Sequence, residues 1–154
     1  MNTIIAIAEL DEMKLVKELM PDYRGRVIIT GVGIVNVVKA LRDVPKDNYI
    51  INVGYAGSNI IPVGTIVQIT HSETAHELAD FKDGEEMELF PLGKGMEMAR
   101  CYTGTDFITK WNGTDKAVFD MELAGIVALG FEKLSSFKKI SDNLSYKQYK
   151  EHIK

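Results

Sequence analysis

Acidic side chains follow three short apolar runs of this sequence, a placement suited to acid–base chemistry on a small molecule. The acids are Glu9, Asp11 and Glu12 after residues 4–8, Asp120 and Glu122 within residues 119–122, and Asp142 at the end of residues 138–142. In an open α/β fold, ligands bind at the carboxyl ends of strands, where such acids could donate and accept protons. Acids at loop starts are also common on solvated surfaces, so the placement alone leaves both interpretations open.

The length and composition indicate one globular domain, residues 1–154. The hydrophobic fraction of 45% and the charged fraction of 26% are ordinary for a globular protein of 154 residues with a buried core. The formal net charge is −4, and the basic residues form no block. Because nucleic-acid binding requires a clustered basic surface, we do not expect a nucleic acid as partner.

The single cysteine and the N-terminal stretch indicate a cytoplasmic protein. Cys101 has no second cysteine with which to form an intramolecular disulfide, which is typical of a reducing compartment. Glu9, Asp11 and Glu12 interrupt the apolar N-terminal stretch, so we expect no signal peptide. No apolar run approaches the length of a transmembrane helix, so we expect no membrane partner.

The apolar periodicity predicts strands that alternate with helices. We expect strands at residues 4–8, 26–30, 49–53, 64–70, 117–119 and 137–140, and helices at residues 11–20, 34–41, 120–129 and 145–153. Gly54 and Gly57 are expected to break the third strand, and residues 71–94 to form a long loop with at most short strands. The alternation predicts an α/β fold with a mostly parallel, twisted sheet flanked by helices.

Two glycine-rich segments follow predicted strands. Gly31 and Gly33 suggest a dinucleotide fingerprint, but Asn36 stands where its third glycine belongs, and no acid stands at the distance that a ribose contact requires. A tight turn that lets the backbone approach a ligand or a neighbouring strand is the better interpretation. Residues 54–57, Gly-Tyr-Ala-Gly, would either bring backbone amides near a ligand or turn the chain, and the sequence leaves these alternatives equal.

A metal site could be drawn from His71 and His76 with the nearby acids Glu73, Glu77 and Asp80. The segment lacks the helical periodicity that would fix the spacing of such ligands, so a solvated acidic loop is the better interpretation. We therefore expect neither a metal nor a cofactor.

Seven short motifs, in this order over nearly the whole chain, resemble those of the nucleoside phosphorylase/nucleosidase superfamily. They are Ala8-Glu9-Leu10-Asp11-Glu12-Met13, Thr30-Gly31-Val32-Gly33-Ile34-Val35-Asn36, Asn52-Val53-Gly54-Tyr55-Ala56-Gly57, Val63-Gly64-Thr65-Ile66-Val67, Gly104-Thr105-Asp106-Phe107-Ile108, Asp120-Met121-Glu122 and Ile140-Ser141-Asp142. Within the superfamily, the chain is most similar to the methylthioadenosine/S-adenosylhomocysteine nucleosidases. The resemblance implies a single α/β domain around a mixed, partly barrel-like sheet, and a homodimer.

The resemblance also implies roles for residues that would contact the purine ring of a bound nucleoside. Asp142 matches the acid that protonates the purine at N7, which requires a raised pKa, and Ser141 matches a residue that orients this acid. Phe107 matches the aromatic residue that stacks on the base, and the backbone of Ile108 matches the group that contacts its edge.

The resemblance implies that a second set of matched residues contacts the sugar. Glu122 matches the carboxylate that binds the ribose hydroxyls, and Met121 matches the residue that packs on the sugar. Glu12 matches the base that activates the attacking water. The resemblance thus implies that two catalytic carboxylates, Asp142 and Glu12, act as acid and base, as in sugar hydrolysis.

The sequence departs from the nucleosidase pattern at several positions. Tyr55, which with Ala56 and Gly57 completes the predicted substrate-binding set, stands where a serine usually helps to hold the water. Lys138 replaces an arginine, and Thr105-Asp106 replaces the usual pair before the stacking Phe. The chain is also shorter than typical members, with the expected losses before residue 104 and at the C-terminus. These losses would affect the 5′ pocket and the dimer contacts.

The resemblance therefore implies a nucleosidase, an N-glycosyl hydrolase that releases the free base from an adenosine-type purine nucleoside with or without a 5′-thio substituent. A phosphate-dependent phosphorylase is the first alternative. Its family branch carries glycine and arginine after the first strand, whereas Glu9, Asp11 and Glu12 here would repel a phosphate dianion. A nucleoside-binding module without turnover is the second alternative.

Overall fold

The described part of the chain consists of eight strands and four helices. A computed structural model describes residues 2–74, 85–87, 96–105, 107–109, 111 and 116–152. The strands are β1 (Thr3–Ile7), β2 (Arg26–Ile29), β3 (Tyr49–Ser58), β4 (Ile66–Thr74), β5 (Glu85–Glu86), β6 (Glu97–Thr103), β7 (Ala117–Asp120) and β8 (Lys133–Asp142). The helices are α1 (Met13–Leu19), α2 (Ile34–Leu41), α3 (Leu123–Ala128) and α4 (Tyr146–His152), and a 3₁₀ turn (Leu10–Glu12) precedes α1.

Five of these strands close into a ring. The pairing runs from β3 to β8, β4, β6 and β7 and returns from β7 to β3. The β3–β8, β4–β6 and β6–β7 pairings are parallel, and the β4–β8 and β3–β7 pairings are antiparallel. β1 and β2 extend the sheet from β3 in parallel, and β5 pairs with β4 in antiparallel fashion. The α/β class is as predicted, and the sheet is mixed and partly closed.

The edge of β3 that faces β1 and β7 carries an interruption that matters for the site. β1 pairs with the first half of β3, ending with Ala6 opposite Asn52. β7 arrives from the opposite direction and pairs with the last residues of β3, with Phe119 opposite Gly57. Between these pairings, residues 53–56 have no partner strand on that edge within the described ranges. We call this interval the β3 gap.

Apolar side chains pack on both faces of the sheet. β1 is buried on both faces, as expected for a continuous apolar run, since its alternate residues belong to two different core clusters. α2 and α3 cover one face, and α1 covers the other. The buried helix residues on the first face are Val37 and Leu41 of α2 and Leu123 and Ile126 of α3, and those on the second face are Leu15 and Val16 of α1. No described helix is long and apolar enough to cross a membrane.

The predicted end of the third strand is wrong. β3 continues through Gly54 and Gly57 to Ser58, because β8 pairs with it along almost its whole length. Residues 54–57 are therefore not a turn. A strand tolerates a glycine where another group approaches closely, and both of these glycines have such a neighbour.

Other predicted bounds also change. β8 begins at Lys133 rather than at residue 137, and α3 begins at Leu123 rather than at residue 120. Residues 71–74 belong to β4 rather than to a loop, and β6 was not predicted at all. The bounds of these strands depend on hydrogen bonding to strands that are distant in sequence, and apolar periodicity gives no information on that pairing. The helix predicted at residues 34–41 is confirmed as α2.

Candidate active site

Acidic and aromatic residues surround a cavity of about 330 Å³. All residues predicted to bind substrate or to act in catalysis line it, namely Glu12, Tyr55, Ala56, Gly57, Phe107, Ile108, Met121, Glu122, Ser141 and Asp142. Other lining residues, which were not in that predicted set, are Ala8, Glu9, Val32, Phe119, Asp120, Tyr146 and Tyr149.

The three predicted acids lie at the carboxyl ends of three strands. Glu12 follows β1, Glu122 follows β7, and Asp142 is the last residue of β8. β1 and β8 both run parallel to β3, whereas β7 runs antiparallel to it. The carboxyl ends of β1 and β7 therefore approach one another across the β3 gap. Glu12 and Glu122, which follow these two strands, consequently lie at the same cavity as Asp142.

The Glu12 carboxylate fills the β3 gap with hydrogen bonds. Its Oε2 accepts the backbone N–H of Tyr55 at 2.9 Å, in place of a partner strand. Its Oε1 accepts the N–H groups of Ala8 at 2.8 Å and Glu9 at 3.0 Å. Burial raises the pKa of Glu12 above its usual value, although Lys138 and these three N–H groups oppose the shift. Glu12 is thus a rigidly held carboxylate whose basicity exceeds that of a solvated one.

A buried ion pair joins Asp120, which lines the cavity, to Lys138, which does not. Lys138 Nζ is 3.0 Å from Asp120 Oδ2, and neither side chain is more than 1% exposed. Asp120 Oδ1 also accepts the Thr103 hydroxyl at 2.5 Å, and Asp120 Oδ2 accepts the Leu123 N–H at 2.8 Å. Each charge of the pair is therefore satisfied inside the protein.

The pKa shifts of the pair show that both groups stay ionised. Burial acts to raise the pKa of Asp120, but Lys138 and the hydrogen bonds from Thr103 and Leu123 hold that pKa below its usual value. Burial acts to lower the pKa of Lys138, but Asp120 and other acidic groups raise that pKa instead. Lys138 also interacts electrostatically with Glu12 and Glu122, so one cation stabilises the charges of three carboxylates.

Glu122 is held by the turn that precedes α2. Its Oε2 accepts the backbone N–H of Gly33 at 2.8 Å. Gly33 has a φ of 93°, a conformation that glycine adopts readily, and it precedes the first residue of α2. Burial and then the neighbouring charge of Asp120 raise the pKa of Glu122 to about 7. The Gly31–Gly33 segment thus brings its backbone to a carboxylate of another element.

Asp142 lies at the other end of the cavity, beside Gly57. The Ser141 hydroxyl donates to Asp142 Oδ2 at 3.0 Å, and the Leu144 N–H donates to Oδ1 at 2.9 Å. A Cβ at residue 57 would come within 2.8 Å of Oδ1, so only glycine leaves room for this carboxylate. Burial raises the pKa of Asp142, although these hydrogen bonds oppose the shift. The environment favours the protonated acid more than water does.

Aromatic rings form one wall of the cavity. Phe107 contacts Tyr146 edge-on, with ring centroids 5.4 Å apart, and Tyr149 at 5.5 Å. Phe119 lines the cavity as well and packs at 4.9 Å against Trp111. Such rings offer flat, apolar faces to a heteroaromatic ligand.

Sequence reasoning missed the contribution of α4 and the role of the ion pair. Tyr146 and Tyr149 stand three residues apart on the predicted last helix, and this spacing places both on one helical face. That spacing was a usable signal. Nothing in the sequence pairs Asp120 with Lys138, because the two residues lie on different strands and meet only through the closed ring.

The residues considered as metal ligands do not form a site in the described part of the chain. His71 and Glu73 are on β4, and His71 Nδ1 lies 3.0 Å from the Thr70 hydroxyl. His76, Glu77 and Asp80 lie outside the described residues. Among the residues that are described, no group of three or more His, Cys, Asp or Glu side chains is arranged to hold a metal ion.

Comparisons with known proteins give the fold. No protein-family model matches the chain, and no curated protein matches its sequence. Solved structures do match over 99% of the chain. A methylthioadenosine/S-adenosylhomocysteine nucleosidase from Chlamydia trachomatis bound to adenine is 20% identical, with a TM-score of 0.73 and 90% of that protein covered.

Two further structures have the same fold. The nucleosidase from Colwellia psychrerythraea, in complex with adenine, is 20% identical, with a TM-score of 0.71 and 88% of that protein covered. The nucleosidase from Neisseria meningitidis, in complex with methylthio-immucillin-A, is 18% identical, with a TM-score of 0.72 and 92% covered. This chain therefore has the same fold as these nucleosidases, which is the fold that the motifs predicted.

Proposed function

We propose that this protein hydrolyses the N-glycosidic bond of a purine nucleoside and releases the free base. The observation that carries the proposal is the placement of three buried carboxylates, Glu12, Glu122 and Asp142, around one cavity with an aromatic wall. Cleavage of this bond requires a proton for the leaving base, stabilisation of a cationic sugar, and a nucleophile. The three acids have distinct surroundings that suit these three tasks.

The base binds at the Asp142 end of the cavity. The Phe107 ring stacks on the purine, and the Ile108 backbone contacts its edge. Asp142, whose pKa is raised by its buried surroundings, donates a proton to purine N7 as the bond between N9 and C1′ breaks. Ser141 orients the acid through its 3.0 Å hydrogen bond to Oδ2. The electron pair of the broken bond stays with the base, which leaves as a neutral molecule.

The sugar binds at the Glu12 and Glu122 end. Glu122 accepts hydrogen bonds from the ribose hydroxyls, Met121 packs on the ring, and the negative field of the acids stabilises the positive charge at C1′. Glu12 accepts a proton from a water molecule whose oxygen forms the new bond to C1′. The proton gained by Glu12 balances the one lost by Asp142, so the chemistry requires no cofactor.

Hydrolysis is favoured over phosphorolysis by the charge of the cavity. Its lining contains five carboxyl groups and, among the described residues, no basic side chain. Lys138 does not line the cavity and is already paired with Asp120 at 3.0 Å. A phosphate dianion would therefore enter an anionic site without a cation to bind it, at a large electrostatic cost.

Incubation of the protein with adenosine, inosine and 5′-methylthioadenosine, followed by chromatography for free base, tests the proposal. Each nucleoside is assayed with and without phosphate, and in water labelled with ¹⁸O. Hydrolysis predicts base release without phosphate and label in the released sugar. Release that requires phosphate would identify a phosphorylase. Binding without release in any arm would identify a nucleoside-binding module and contradict the proposal.

We also propose that the protein is a cytoplasmic homodimer. Support comes from apolar side chains that the single chain leaves in solvent: Val35 on α2 is 73% exposed and Ile29 on β2 is 50% exposed. Cys101 is buried and forms no disulfide, which suits a reducing compartment. Sedimentation equilibrium at micromolar concentration measures the mass, and a monomer there would contradict the dimer.

A further inference from the structure

Two carboxylates of the cavity lining have no part in the chemistry proposed above: Asp120, which is paired with Lys138, and Glu9. Glu9 lines the cavity and is exposed, whereas the other lining acids, Glu12, Asp120, Glu122 and Asp142, are all buried. The cavity therefore has an anionic rim at Glu9, in the described part of the chain, that an apolar ligand group would have to desolvate.

The position of Glu9 is fixed on the sugar side of the cavity. Its backbone N–H donates to Glu12 Oε1 at 3.0 Å, and its backbone carbonyl accepts the Glu12 N–H at 3.0 Å. Glu9 is thus tied to the carboxylate that is proposed to activate water. Asp142 and Gly57, which are proposed to bind the base, lie at the other end.

Tyr149 faces the same side. Burial, and then the carboxylates of Glu9, Glu12 and Glu122 in that order, raise the pKa of Tyr149 to about 12. The ring of Tyr149 packs at 5.5 Å against Phe107. The side chain thus extends from the base-stacking wall to the acids of the sugar side, where its hydroxyl stays protonated and can donate a hydrogen bond.

For a nucleoside bound in this cavity, the residues that contact one sugar substituent have not yet been assigned. Glu122 is proposed to bind the 2′ and 3′ hydroxyls, and the water activated by Glu12 must reach C1′. The 5′ substituent remains. Two lining groups without a role in that chemistry are Glu9, whose backbone is hydrogen-bonded to Glu12, and the Tyr149 phenol, which packs against Phe107. A carboxylate and a phenol match a substituent that donates a hydrogen bond, and a thioether cannot donate one.

We propose that Glu9 and Tyr149 form the subsite for the 5′ substituent, and that this subsite selects a hydrogen-bond donor, a 5′-hydroxyl or 5′-ammonium group, over a 5′-thioether. The inference rests on the proposed function and names its substrate class. The 5′-hydroxyl or ammonium donates to Glu9, and the Tyr149 hydroxyl donates to Glu9 or to the 5′ oxygen. A methylthio group would instead displace water from the Glu9 carboxylate without replacing the hydrogen bond that the water donated.

The test compares kcat/KM for adenosine, 5′-amino-5′-deoxyadenosine and 5′-methylthioadenosine. A charge-assisted hydrogen bond predicts that the wild-type protein prefers both donors over the thioether by about tenfold or more. Glu9→Gln should reduce this preference most for the amino compound, since the charge is lost. Glu9→Met should shift the preference towards the thioether, and Tyr149→Phe should weaken the preference for adenosine.

Two controls isolate the subsite. Asp11→Asn removes one negative charge from the same 3₁₀ turn at an exposed residue that does not line the cavity, and it should leave the preference unchanged. Adenine has no 5′ group, so its calorimetric affinity should be the same for the wild type and Glu9→Gln. If adenine binding changed with Glu9→Gln, the residue would contact the base and the inference would be wrong.

The outcomes also separate this inference from the proposed function. Hydrolysis of all three nucleosides with a preference that Glu9→Met and Tyr149→Phe leave unchanged would overturn the subsite and keep the nucleosidase. A preference for the donor compounds in binding that is lost in Glu9→Gln, without base release, would keep the subsite and overturn the nucleosidase.

Discussion

The Glu12 carboxylate occupies the space that a side chain at residue 54 would need. A Cβ on Gly54 would lie 2.5 Å from Glu12 Oε2 and 3.5 Å from Lys138 Nζ. Gly54 stands opposite Lys138 in the β3–β8 register, and the N–H of the next residue, Tyr55, donates to the same Glu12 oxygen. Because residue 54 is glycine, the Glu12 carboxylate has room to lie against β3 in the β3 gap, where β3 has no partner strand on that edge among the described residues.

We expect Gly54→Ala to reduce kcat by about 10²-fold or more with little change in adenine affinity. The added methyl group must displace the Glu12 carboxylate, and a misplacement of about 1 Å can cost this much in a catalytic group. Steady-state kinetics and adenine calorimetry measure the two effects, and thermal unfolding checks that the fold remains. Near wild-type turnover in a folded variant would contradict the role of Glu12.

The acids of the site could be predicted from the sequence, but their arrangement could not. Glu12 and Asp142 follow apolar runs, and buried strands with acids at their ends are visible in a single sequence. The β3 gap is not visible, because it depends on β7 entering antiparallel to β1, and the short β7 has no signal of direction. The prediction that Gly54 ends the strand was consequently wrong, since this glycine lies within the strand and leaves room for the Glu12 carboxylate.

Glu12→Gln should destabilise the fold as well as stop hydrolysis. Glu12 accepts three backbone N–H groups, from Ala8, Glu9 and Tyr55, whereas an amide offers one acceptor oxygen and turns an NH₂ group towards a donor. A loss of about 1–3 kcal/mol in unfolding free energy is expected. Urea denaturation measures it, with the exposed Asp11→Asn as control. An unchanged midpoint would mean that the carboxylate is not needed to close the β3 gap.

Lys138→Met should be among the most destabilising substitutions in the chain. It removes the cation of a buried pair and leaves the Asp120 carboxylate without a counter-charge, which typically costs about 3–5 kcal/mol. Lys138→Arg keeps the charge and should cost less. The double variant Asp120→Asn with Lys138→Met should recover part of the loss, because no uncompensated charge remains at the pair. Additive losses in urea unfolding would show that the pair is not coupled.

Glu122 should make stability fall as the pH rises towards neutrality. Its pKa rises from 4.5 to about 7 on folding, so the folded protein holds a proton between these values that the unfolded chain releases. The stabilising contribution is full below pH 4.5 and is lost as the pH passes 7, with a total on the order of 3 kcal/mol. Glu122→Gln should lack this slope in urea unfolding between pH 5 and pH 8.

The control for that slope is the exposed Glu132, whose substitution by Gln removes an acid outside the cavity. Glu132→Gln should keep the wild-type pH dependence. If the curves of the wild type and Glu122→Gln ran parallel across the whole range, another group would carry the proton, and the assigned environment of Glu122 would be wrong.

Asp142→Asn should nearly abolish release of adenine from a nucleoside while leaving binding intact. The amide can still hydrogen-bond to the base at N7, but it cannot deliver a proton, so the loss appears in kcat rather than in KM. Loss of a general acid costs about 10²–10⁴-fold, and a poor leaving group such as adenine should bring the loss near the upper end.

A riboside with a good leaving group provides the decisive comparison for Asp142. A p-nitrophenyl riboside departs without protonation, so its hydrolysis should survive Asp142→Asn, and Glu12→Gln should still abolish it because water activation remains necessary. The two variants thus separate the acid from the base on one substrate. If Asp142→Asn released adenine at a near wild-type rate, the proton would come from another group, and the assignment of the base to the Gly57 end of the cavity would fail with it.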